Sequence, residues 1–274
     1  MESPRFSVII PTLNEEAYLP KLLTCLSRQT YREFEVMVVD GSSEDATVAV
    51  AKPFRASLPK LSIVTTSKRN VSYQRNLGAQ KAKGEYFVFF DADVQIPKSF
   101  LKRIWSAIVK KKSMLLTTWI TPDSNKANDI VIIAISNIAV EAAKAIDRPF
   151  AGGYNTIVHR SVFSQVGGYN EKFKISEDHD FIQRCLAAGV QLTILRRPRL
   201  TFSLRRMRRY GYFSIIRKYA QAGVYQLLKK PITKALFEYP MGGHLYRTRK
   251  EVRKNVLGQL ERSLLRSVKQ WLSA

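Results

Sequence analysis

The fold of this chain follows from one stretch of its sequence, Tyr86-Phe87-Val88-Phe89-Phe90-Asp91-Ala92-Asp93. Five consecutive apolar residues, mostly aromatic, predict a buried strand, and two carboxylates follow where that strand would leave the core. Similar apolar runs alternate with helical patterns along the first half of the chain. The predicted strands are residues 6–10, 34–40, 61–65 and 86–90, and the predicted helices are residues 17–28, 44–51 and 73–83. This alternation indicates an α/β fold, in which helices flank a mostly parallel sheet.

Polar residues follow three of these strands at the point where each strand ends. They are residues 11–15 (Pro-Thr-Leu-Asn-Glu), 40–43 (Asp-Gly-Ser-Ser) and 91–93 (Asp-Ala-Asp). Ligands of open α/β sheets bind outside the carboxyl ends of the strands, so these segments predict a binding site. Neither GxGxxG nor a P-loop sequence occurs, which argues against the usual dinucleotide-binding fold and the P-loop NTPases. Ser42 or Ser43 is expected to cap the helix at 44–51.

The second half of the chain has a looser pattern. The expected helices are residues 98–110, 128–146 and 178–188, and the expected strands are residues 115–120 and 156–159. From residue 205 onward two basic segments follow, and their apolar residues recur every three or four positions, as in amphipathic helices. We therefore expect a globular domain over residues 1–210 and a basic amphipathic helical tail over residues 211–274.

The composition suits one large domain with an appendage and excludes disordered and rod-like proteins. The chain has 274 residues, of which 45% are hydrophobic and 24% charged, with a formal net charge of +23. Residues 196–274 hold 20 of the 45 Lys and Arg but only 3 of the 22 Asp and Glu, which predicts an anionic partner for the tail. Cys25 and Cys185 encode neither a disulfide framework nor a zinc site, and the apolar stretch 130–140 is too short to span a membrane. These features predict a cytoplasmic location.

The two carboxylates after the strand at 86–90 are candidate metal ligands. Asp91 and Asp93 stand at alternate positions, and Gln95 offers a third oxygen two residues later. Carboxylate and amide oxygens suit Mg²⁺ or Mn²⁺, which bind through one or two carboxylates together with substrate phosphates. The alternative is that Asp91 caps the next helix and Asp93 is solvated.

Four blocks of this chain resemble the family-2 glycosyltransferases, whose catalytic domain has the GT-A fold. They are residues 6–16 (FSVIIPTLNEE), residues 38–47 (VVDGSSEDAT), residues 75–93 from Arg-Asn-Leu-Gly to Asp-Ala-Asp, and residues 167–181 from Gly-Gly-Tyr-Asn-Glu to Glu-Asp-His-Asp-Phe. The resemblance spans about residues 5–210 in the family's order. It implies a Rossmann-like sheet and an enzyme that transfers a sugar, with inversion, from a nucleotide sugar to an acceptor.

The resemblance assigns several residues to the donor, a sugar nucleotide of the UDP or GDP type. The implied nucleotide-sugar-binding residues are Pro11, Thr12, Asn14, Glu15, Asp40, Arg75 and Asp91. Asp91 and Asp93 would hold the divalent ion against the diphosphate. The alternatives are that Asp40 belongs to a turn that caps a helix, and that Arg75 is a surface arginine on an ordinary helix.

The pair Glu177-Asp178 matches the family's Glu-Asp motif, in which Asp is the usual general base. An acceptor hydroxyl is a poor nucleophile until a positioned carboxylate takes its proton, so we expect Asp178 to be the base with Glu177 as its neighbour, and Asp180 is the second candidate. The alternative is a helix N-terminus with acids that favour the positive end of the dipole. This motif favours a hydroxyl acceptor, on a glycan or a lipid-linked molecule, over a polyprenyl phosphate, which is already ionised.

The basic residues leave two interpretations open. Arg205 and Arg206 stand where related enzymes carry an arginine-bearing segment close to the diphosphate, or they face anionic lipid. The tail is expected to associate with an anionic membrane surface, with packing on the domain or on another subunit as the alternative. Two other functions remain possible at this stage, a nucleic-acid-binding module and a glycosidase, although no recognition motif supports nucleic-acid binding.

Overall fold

The computed structural model describes residues 4–173, 175–215, 217 and 242, and within them seven strands form one mixed sheet. The strands are β1 Phe6–Thr12, β2 Phe34–Asp40, β3 Leu61–Thr65, β4 Tyr86–Phe89, β5 Leu115–Pro122, β6 Thr156–His159 and β7 Leu192–Phe202. They lie in the order β3-β2-β1-β4-β6-β5-β7. The strands β1 to β4 are parallel, β6 is antiparallel to both of its neighbours, and β7 is parallel to β5.

Helices cover this sheet. In the described part of the chain they are α1 Leu19–Ser27, α2 Thr47–Ala51, α3 Val71–Lys81, α4 Phe100–Lys111, α5 Ala127–Ala145, α6 Arg160–Gln165, α7 Glu177–Ala187 and α8 Arg205–Tyr210. The prediction of an α/β fold is confirmed, and the strands predicted from the sequence agree with the structure to within two residues at each end. The strand β7 and the short helix α6 were not predicted.

The helix α2 begins differently from the expectation. It follows Ala46 and has no side-chain cap, so the prediction of a serine cap is wrong. Ser43 instead donates its hydroxyl to Asp40, and Ser42 donates to the carbonyl of Thr66. Both serines therefore fix the loop after β2 rather than the first turn of the helix.

Side chains of the central strands pack on both faces of the sheet. On one face Phe6 and Val8 of β1 pack with side chains of α1 and α4, and on the other face Ile9 packs with side chains of α6 and α7. The helix α3 approaches closely at Gly78, where a Cβ would lie 2.5 Å from Cγ2 of Ile9. Because both faces are covered, the ends of the parallel strands are the part of the sheet left for a ligand.

The tail predicted from the sequence lies largely outside the described residues. The helix α8 begins at Arg205, where the first basic helical segment was expected, but the segment that continues it and the one near residues 252–272 are not described. The domain boundary at residue 210 therefore stays a prediction. Where the structure is described, no helix combines the length and apolar character needed to cross a membrane.

Candidate active site

One large cleft, with a volume of about 1260 Å³, lies beyond the carboxyl ends of β1 and β4 and is bordered by α5, α7 and α8. Many of the predicted site residues line it: Pro11, Thr12, Glu15, Arg75, Asp91, Asp93, Glu177, Asp178, Arg205 and Arg206. Motifs that are far apart in the sequence therefore meet at one edge of the sheet, as expected for an open α/β fold.

Asn14 and Asp40 support this edge from behind the cleft lining. The carboxylate of Asp40, only 1% exposed, accepts hydrogen bonds from the hydroxyl of Thr12 (3.0 Å) and from the backbone N–H (2.9 Å) and hydroxyl (2.5 Å) of Ser43. Asn14 has a left-handed backbone (φ 54°), and its side-chain oxygen accepts from the N–H of Glu44 (2.7 Å). These bonds fix the loops after β1 and β2, and direct contact of either residue with a nucleoside stays a prediction.

Arg75 of α3 joins two acidic motifs of the cleft. Its Nη1 lies 2.8 Å from Oε1 of Glu177, and its Nη2 lies 3.0 Å from Oδ1 of Asp91. The alternative of a surface arginine is wrong, because Arg75 is only 2% exposed and its guanidinium lies 5.1 Å from the ring centroid of Tyr169. Burial alone would lower the pKa of Arg75, but the Asp91 charge and the neighbouring acidic groups raise it, so the side chain stays charged.

Asp178 is held by backbone donors in the first turn of α7. Its Oδ2 accepts from the N–H of Gly153 (2.9 Å), and its Oδ1 accepts from the N–H of His179 (2.8 Å). Burial raises the pKa of both Asp178 and Glu177, and the Asp178 charge adds to the rise at Glu177. A fixed carboxylate with a raised pKa is suited to accept a proton near neutral pH. The acids also occupy the helix N-terminus, as the alternative interpretation of this motif expects, and the role of Asp178 as the base stays a prediction.

Arg205 of α8 binds two carboxylates on the other side of the cleft. It donates to both oxygens of Glu15 (2.9 and 2.8 Å), and its Nε lies 3.0 Å from Oδ2 of Asp93. Its guanidinium also lies 4.1 Å from the ring centroid of Tyr18. Burial raises the pKa of Asp93 to about 7 and raises the pKa of Glu15, while Arg205 opposes both rises. Arg205 therefore faces the acidic cleft, and the same is true of Arg206 by its position in the lining.

Comparison with known proteins agrees with this geometry. The profile of glycosyl transferase family 2 matches residues 7–167, and a profile described as the N-terminal domain of galactosyltransferase matches residues 144–210. The chain belongs to glycosyl transferase family 2. A PGL/p-HBAD biosynthesis glycosyltransferase of Mycobacterium bovis is 31% identical over 201 residues, which are 70% of this chain and 74% of that relative. This glycosyltransferase is thus an enzyme that moves a sugar from a nucleotide-sugar donor to an acceptor.

Solved structures share the fold of this glycosyltransferase. TarS 1-349 of S. aureus in complex with UDP-GlcNAc superposes with a TM-score of 0.61 at 22% identity, covering 73% of this chain and 58% of that one. Mannosyltransferase PcManGT from Pyrobaculum calidifontis, in complex with GDP-Man and Mn²⁺, gives a TM-score of 0.60 at 21% identity, covering 74% and 57%. The chain therefore spans less than two thirds of either solved chain. At these identities the likeness establishes the GT-A fold alone.

The residues of this family-2 glycosyltransferase fit a divalent ion at Asp91 and Asp93. Both carboxylates line the cleft, and the exposed fractions of their side chains are 40% and 12%. Within the described residues no group of three His, Cys, Asp or Glu forms a complete metal site. Two carboxylates completed by donor phosphates are, however, the usual arrangement for Mg²⁺ and Mn²⁺.

Gln95 gains no support as a third metal ligand in this glycosyltransferase. It is exposed and absent from the cleft lining, and its backbone pairs with Thr201 of β7 through N–H to carbonyl bonds of 3.0 and 2.8 Å. The residue therefore joins β7 to the loop after β4. Gln95 was predicted only from its position two residues after Asp93, whereas the structure pairs its backbone with β7 outside the cleft lining.

The family resemblance places an acceptor-contacting loop at residues 152–155, but sequence analysis predicted neither the contact that Gly153 makes nor the position of α5 in this glycosyltransferase. Gly153 donates to Asp178, and a Cβ at Gly153 would collide with the guanidinium of Arg75. The helix α5, predicted only as an amphipathic helix, forms a long wall of the cleft. The uncharged apolar stretch at residues 130–140 was the available signal for that wall, and it served only to exclude a membrane span.

Proposed function

We propose that this enzyme transfers a sugar, with inversion, from a nucleoside diphosphate sugar of the UDP or GDP type to a hydroxyl group of a glycan or lipid-linked acceptor. The observation that carries the proposal is the position of Asp178, held by backbone donors in the cleft that also contains Asp91 and Asp93. A phosphate acceptor would need no such base, which is why we prefer a hydroxyl acceptor to a polyprenyl phosphate.

In this proposal Asp178 accepts the proton of the acceptor hydroxyl as its oxygen attacks the sugar carbon. The N–H groups of Gly153 and His179 fix the orientation of its carboxylate. Glu177 does not take the proton, because it is ion-paired with Arg75 and thereby positions α7 against Asp91. The result is a base whose direction is set before the substrates bind.

The donor side of the cleft contains both carboxylates and arginines. Asp91 and Asp93 would hold Mn²⁺ or Mg²⁺, which supplies Lewis-acid stabilisation of the leaving diphosphate when it is bound. Pro11, Thr12 and Glu15 line the same side, and Arg205 and Arg206 carry the positive charge suited to phosphate oxygens. These residues bind and orient the donor in this proposal.

We also place the enzyme at the cytoplasmic face of a membrane. The support is the positive charge of residues 196–274, which suits an anionic lipid surface, and the presence of two free cysteines, Cys25 and Cys185, which suit a reducing compartment. A lipid-linked acceptor would be met at such a surface.

The deciding experiment compares Asp178→Asn with Asp180→Asn. Asp180 is the matched control, because it lies on the same helix but pairs with Arg184 (2.8 Å) and does not line the cleft. Calorimetric titration with UDP, GDP, TDP and CDP, each with and without Mn²⁺, first identifies the donor base. We then expect Asp178→Asn to bind that nucleotide normally and to lose transfer by at least about a hundredfold, while Asp180→Asn keeps both.

Other outcomes would redirect the proposal. Full transfer by Asp178→Asn would remove the base assignment and favour a phosphate acceptor. Binding of no nucleotide by the folded protein would contradict the proposed donor. If Asp91 and Asp93 hold the ion, Mn²⁺ should strengthen nucleotide binding by the wild type but not by Asp91→Ala or Asp93→Ala.

A further inference from the structure

The wall of the cleft formed by α5 is mainly apolar. The side chains that line the cleft from this helix and the residue after it include Ile132, Ile135, Ala139, Val140, Ala143 and Ile146. The charged residues Glu141 and Lys144 of the same helix are absent from the lining, and Glu141 instead bonds to Trp119 and Arg196. The part of α5 that lines the cleft therefore carries no charged side chain, although Ile130 and Ile138 are exposed outside the cleft.

The polar residues of this wall are already bonded within the protein. The hydroxyl of Ser136 donates to the carbonyl of Ile132 (2.9 Å). The side chain of Asn137 accepts from the N–H of Ile120 (2.9 Å) and donates to its carbonyl (3.0 Å). A sugar laid along α5 would bury hydroxyl groups against a surface that offers them few partners, which costs free energy.

The apolar wall leads to the proposed base. The chain leaves α5, passes Ile146, Arg148 and Phe150, which all line the cleft, and reaches Gly153, whose N–H holds Asp178. The lining between the wall and the proposed base is thus apolar except for one arginine. Tyr154 and Phe202, which also line the cleft, are in ring contact, with centroids 4.5 Å apart. The total volume of about 1260 Å³ also exceeds the ~300–1000 Å³ of ordinary ligand pockets, which leaves room beside a donor.

Large apolar side chains on this wall remain accessible. Ile135 is 49% exposed and Ile146 is 71% exposed, although both line the cleft. Accessible apolar surface within a concave site favours an apolar ligand, because contact removes that surface from water.

We propose that the acceptor of this enzyme carries an extended hydrocarbon group next to the reacting hydroxyl, and that α5 binds this group. The inference rests on the proposed function, since it places the hydroxyl at Asp178. It narrows the acceptor from any glycan or lipid-linked molecule to an amphiphile whose apolar part lies in the cleft itself. Free sugars and hydrophilic glycans are correspondingly poor acceptors.

The first test measures binding of n-hexyl, n-octyl and n-decyl β-glucosides to the full chain by calorimetry, each below its critical micelle concentration. Complete burial of one methylene contributes about 0.8 kcal/mol, which corresponds to about fourfold in Kd. A partly open cleft buries each methylene incompletely, so the gain is smaller. We therefore expect Kd to fall about two- to fourfold for each added methylene. Equal Kd values across the series would overturn the inference.

Two isoleucines of α5 provide matched variants. Ile135 and Ile138 lie on the same helix and are 49% and 51% exposed, but only Ile135 lines the cleft. Ile135→Asp should abolish the dependence of Kd on chain length, and Ile138→Asp should keep it. Ala139→Glu, at a second exposed position of the lining, provides the same test if Ile135→Asp fails to fold. Equal behaviour of the Ile135 and Ile138 variants would overturn the assignment to the cleft.

Transfer separates the acceptor role from simple binding. With the donor identified by nucleotide titration, kcat/KM for the alkyl glucosides should rise with chain length through KM, and Ile135→Asp should remove this rise without changing kcat. If the nucleotide binds but chain length has no effect, the inference fails and the proposed function stands. If no nucleotide binds, the proposed function fails and the acceptor role fails with it. Ile135→Asp could also melt at a much lower temperature than Ile138→Asp while Kd shows no dependence on chain length. This result would mean that another part of the chain covers α5, and it would overturn the inference.

Discussion

Arg75 shows how a single buried side chain can connect motifs that the sequence presents as separate. Its guanidinium bonds to Asp91 after β4 and to Glu177 at the start of α7. The family resemblance assigned Arg75 to the nucleotide, and sequence analysis gave it no partner within the protein. The ion pairs could not be predicted, since the partners are distant in the chain and become neighbours only once the sheet and α7 are assembled.

Replacement of Gly153 by alanine should disturb this connection. The added Cβ would collide with the guanidinium of Arg75, which two ion pairs hold in place, and would shift the N–H that holds Asp178. We expect kcat to fall about tenfold to a hundredfold, because small displacements of a base are costly, with little change in nucleotide Kd. Steady-state kinetics and calorimetry on the same sample measure both quantities.

Gly189→Ala is the control for Gly153→Ala. Gly189 has φ +83°, so alanine is strained there, but it has no neighbour within 4 Å of the added atom and does not line the cleft. It should lower the melting temperature and leave kcat unchanged. A loss of kcat as large as that of Gly153→Ala would argue against a specific role for Gly153.

The raised pKa of Asp178 predicts the direction of the pH dependence. Asp178 accepts a proton only when ionised, and burial raises its pKa above the ordinary value of about 4. As pH falls, kcat/KM should therefore decline earlier than for an ordinary aspartate, and tenfold per pH unit below the apparent pKa. A profile between pH 4.5 and 8 measures this decline. A flat profile would contradict the prediction.

The raised pKa of Asp178 also affects stability, and low pH favours stability whereas high pH favours activity. A carboxyl whose pKa is raised on folding stabilises the folded state at low pH, and this contribution is lost as pH rises through the folded pKa. Asp178→Asn removes the cost of a buried charge but sets an amide NH2 against one of the two N–H groups that bond to Asp178. The test is therefore the pH dependence: the melting temperature of the wild type relative to Asp178→Asn should fall as pH rises from 4.5 to 8, and a difference that does not change with pH would contradict the prediction.

At the scale of elements, the strand β7 was the least predictable part of the sheet, whereas α8 begins at the expected residue. The run Arg196-Arg197-Pro198-Arg199 interrupts the apolar pattern of β7, so no strand was expected. The structure tolerates these residues because β7 is the edge strand of the sheet next to β5. The central strands β1, β2 and β4 were predictable because they are buried on both faces and therefore continuously apolar.

The position of α8 predicts a large effect of Arg205→Met. This variant leaves Glu15 and Asp93, whose side chains are 10% and 12% exposed, without the cation that bonds both. Breaking a buried ion pair in this way typically costs about 3–5 kcal/mol. We expect urea denaturation to give a free energy of unfolding lower by about 3 kcal/mol, with partial recovery in Mn²⁺. Exposed Arg103 of α4 is the control, and an equal loss in Arg103→Met would contradict the prediction.

At the scale of the whole molecule, positive charge is concentrated in one part of the sequence. The described lining of the cleft holds carboxylates and arginines in equal number, whereas residues 196–274 hold 20 of the 45 Lys and Arg and only 3 of the 22 Asp and Glu. The composition alone predicted an anionic partner, and the nucleotide-sugar donor of the family accounts only for the positive charge that lines the cleft. The positive charge outside the cleft lining is the basis for the proposed membrane surface.

The full chain should therefore bind vesicles that contain anionic lipid and not vesicles of phosphatidylcholine alone. Binding should weaken strongly between 0.1 M and 1 M NaCl, because the Debye length falls from about 10 Å to about 3 Å. Flotation of vesicles at both salt concentrations measures this. Equal binding to neutral vesicles would contradict the prediction, and duplex DNA that competes at equal charge concentration would favour a general polyanion site instead.

The ion pairs of Arg205 also affect the stability of the enzyme when no metal ion is bound. Its guanidinium lies against Glu15 and Asp93, so these carboxylates are neutralised before a metal ion binds. Chelation of the metal ion with EDTA should then abolish transfer but leave the melting temperature unchanged, and added Mn²⁺ should restore transfer without refolding. The enzyme would stay folded when metal is scarce and would lose only its activity.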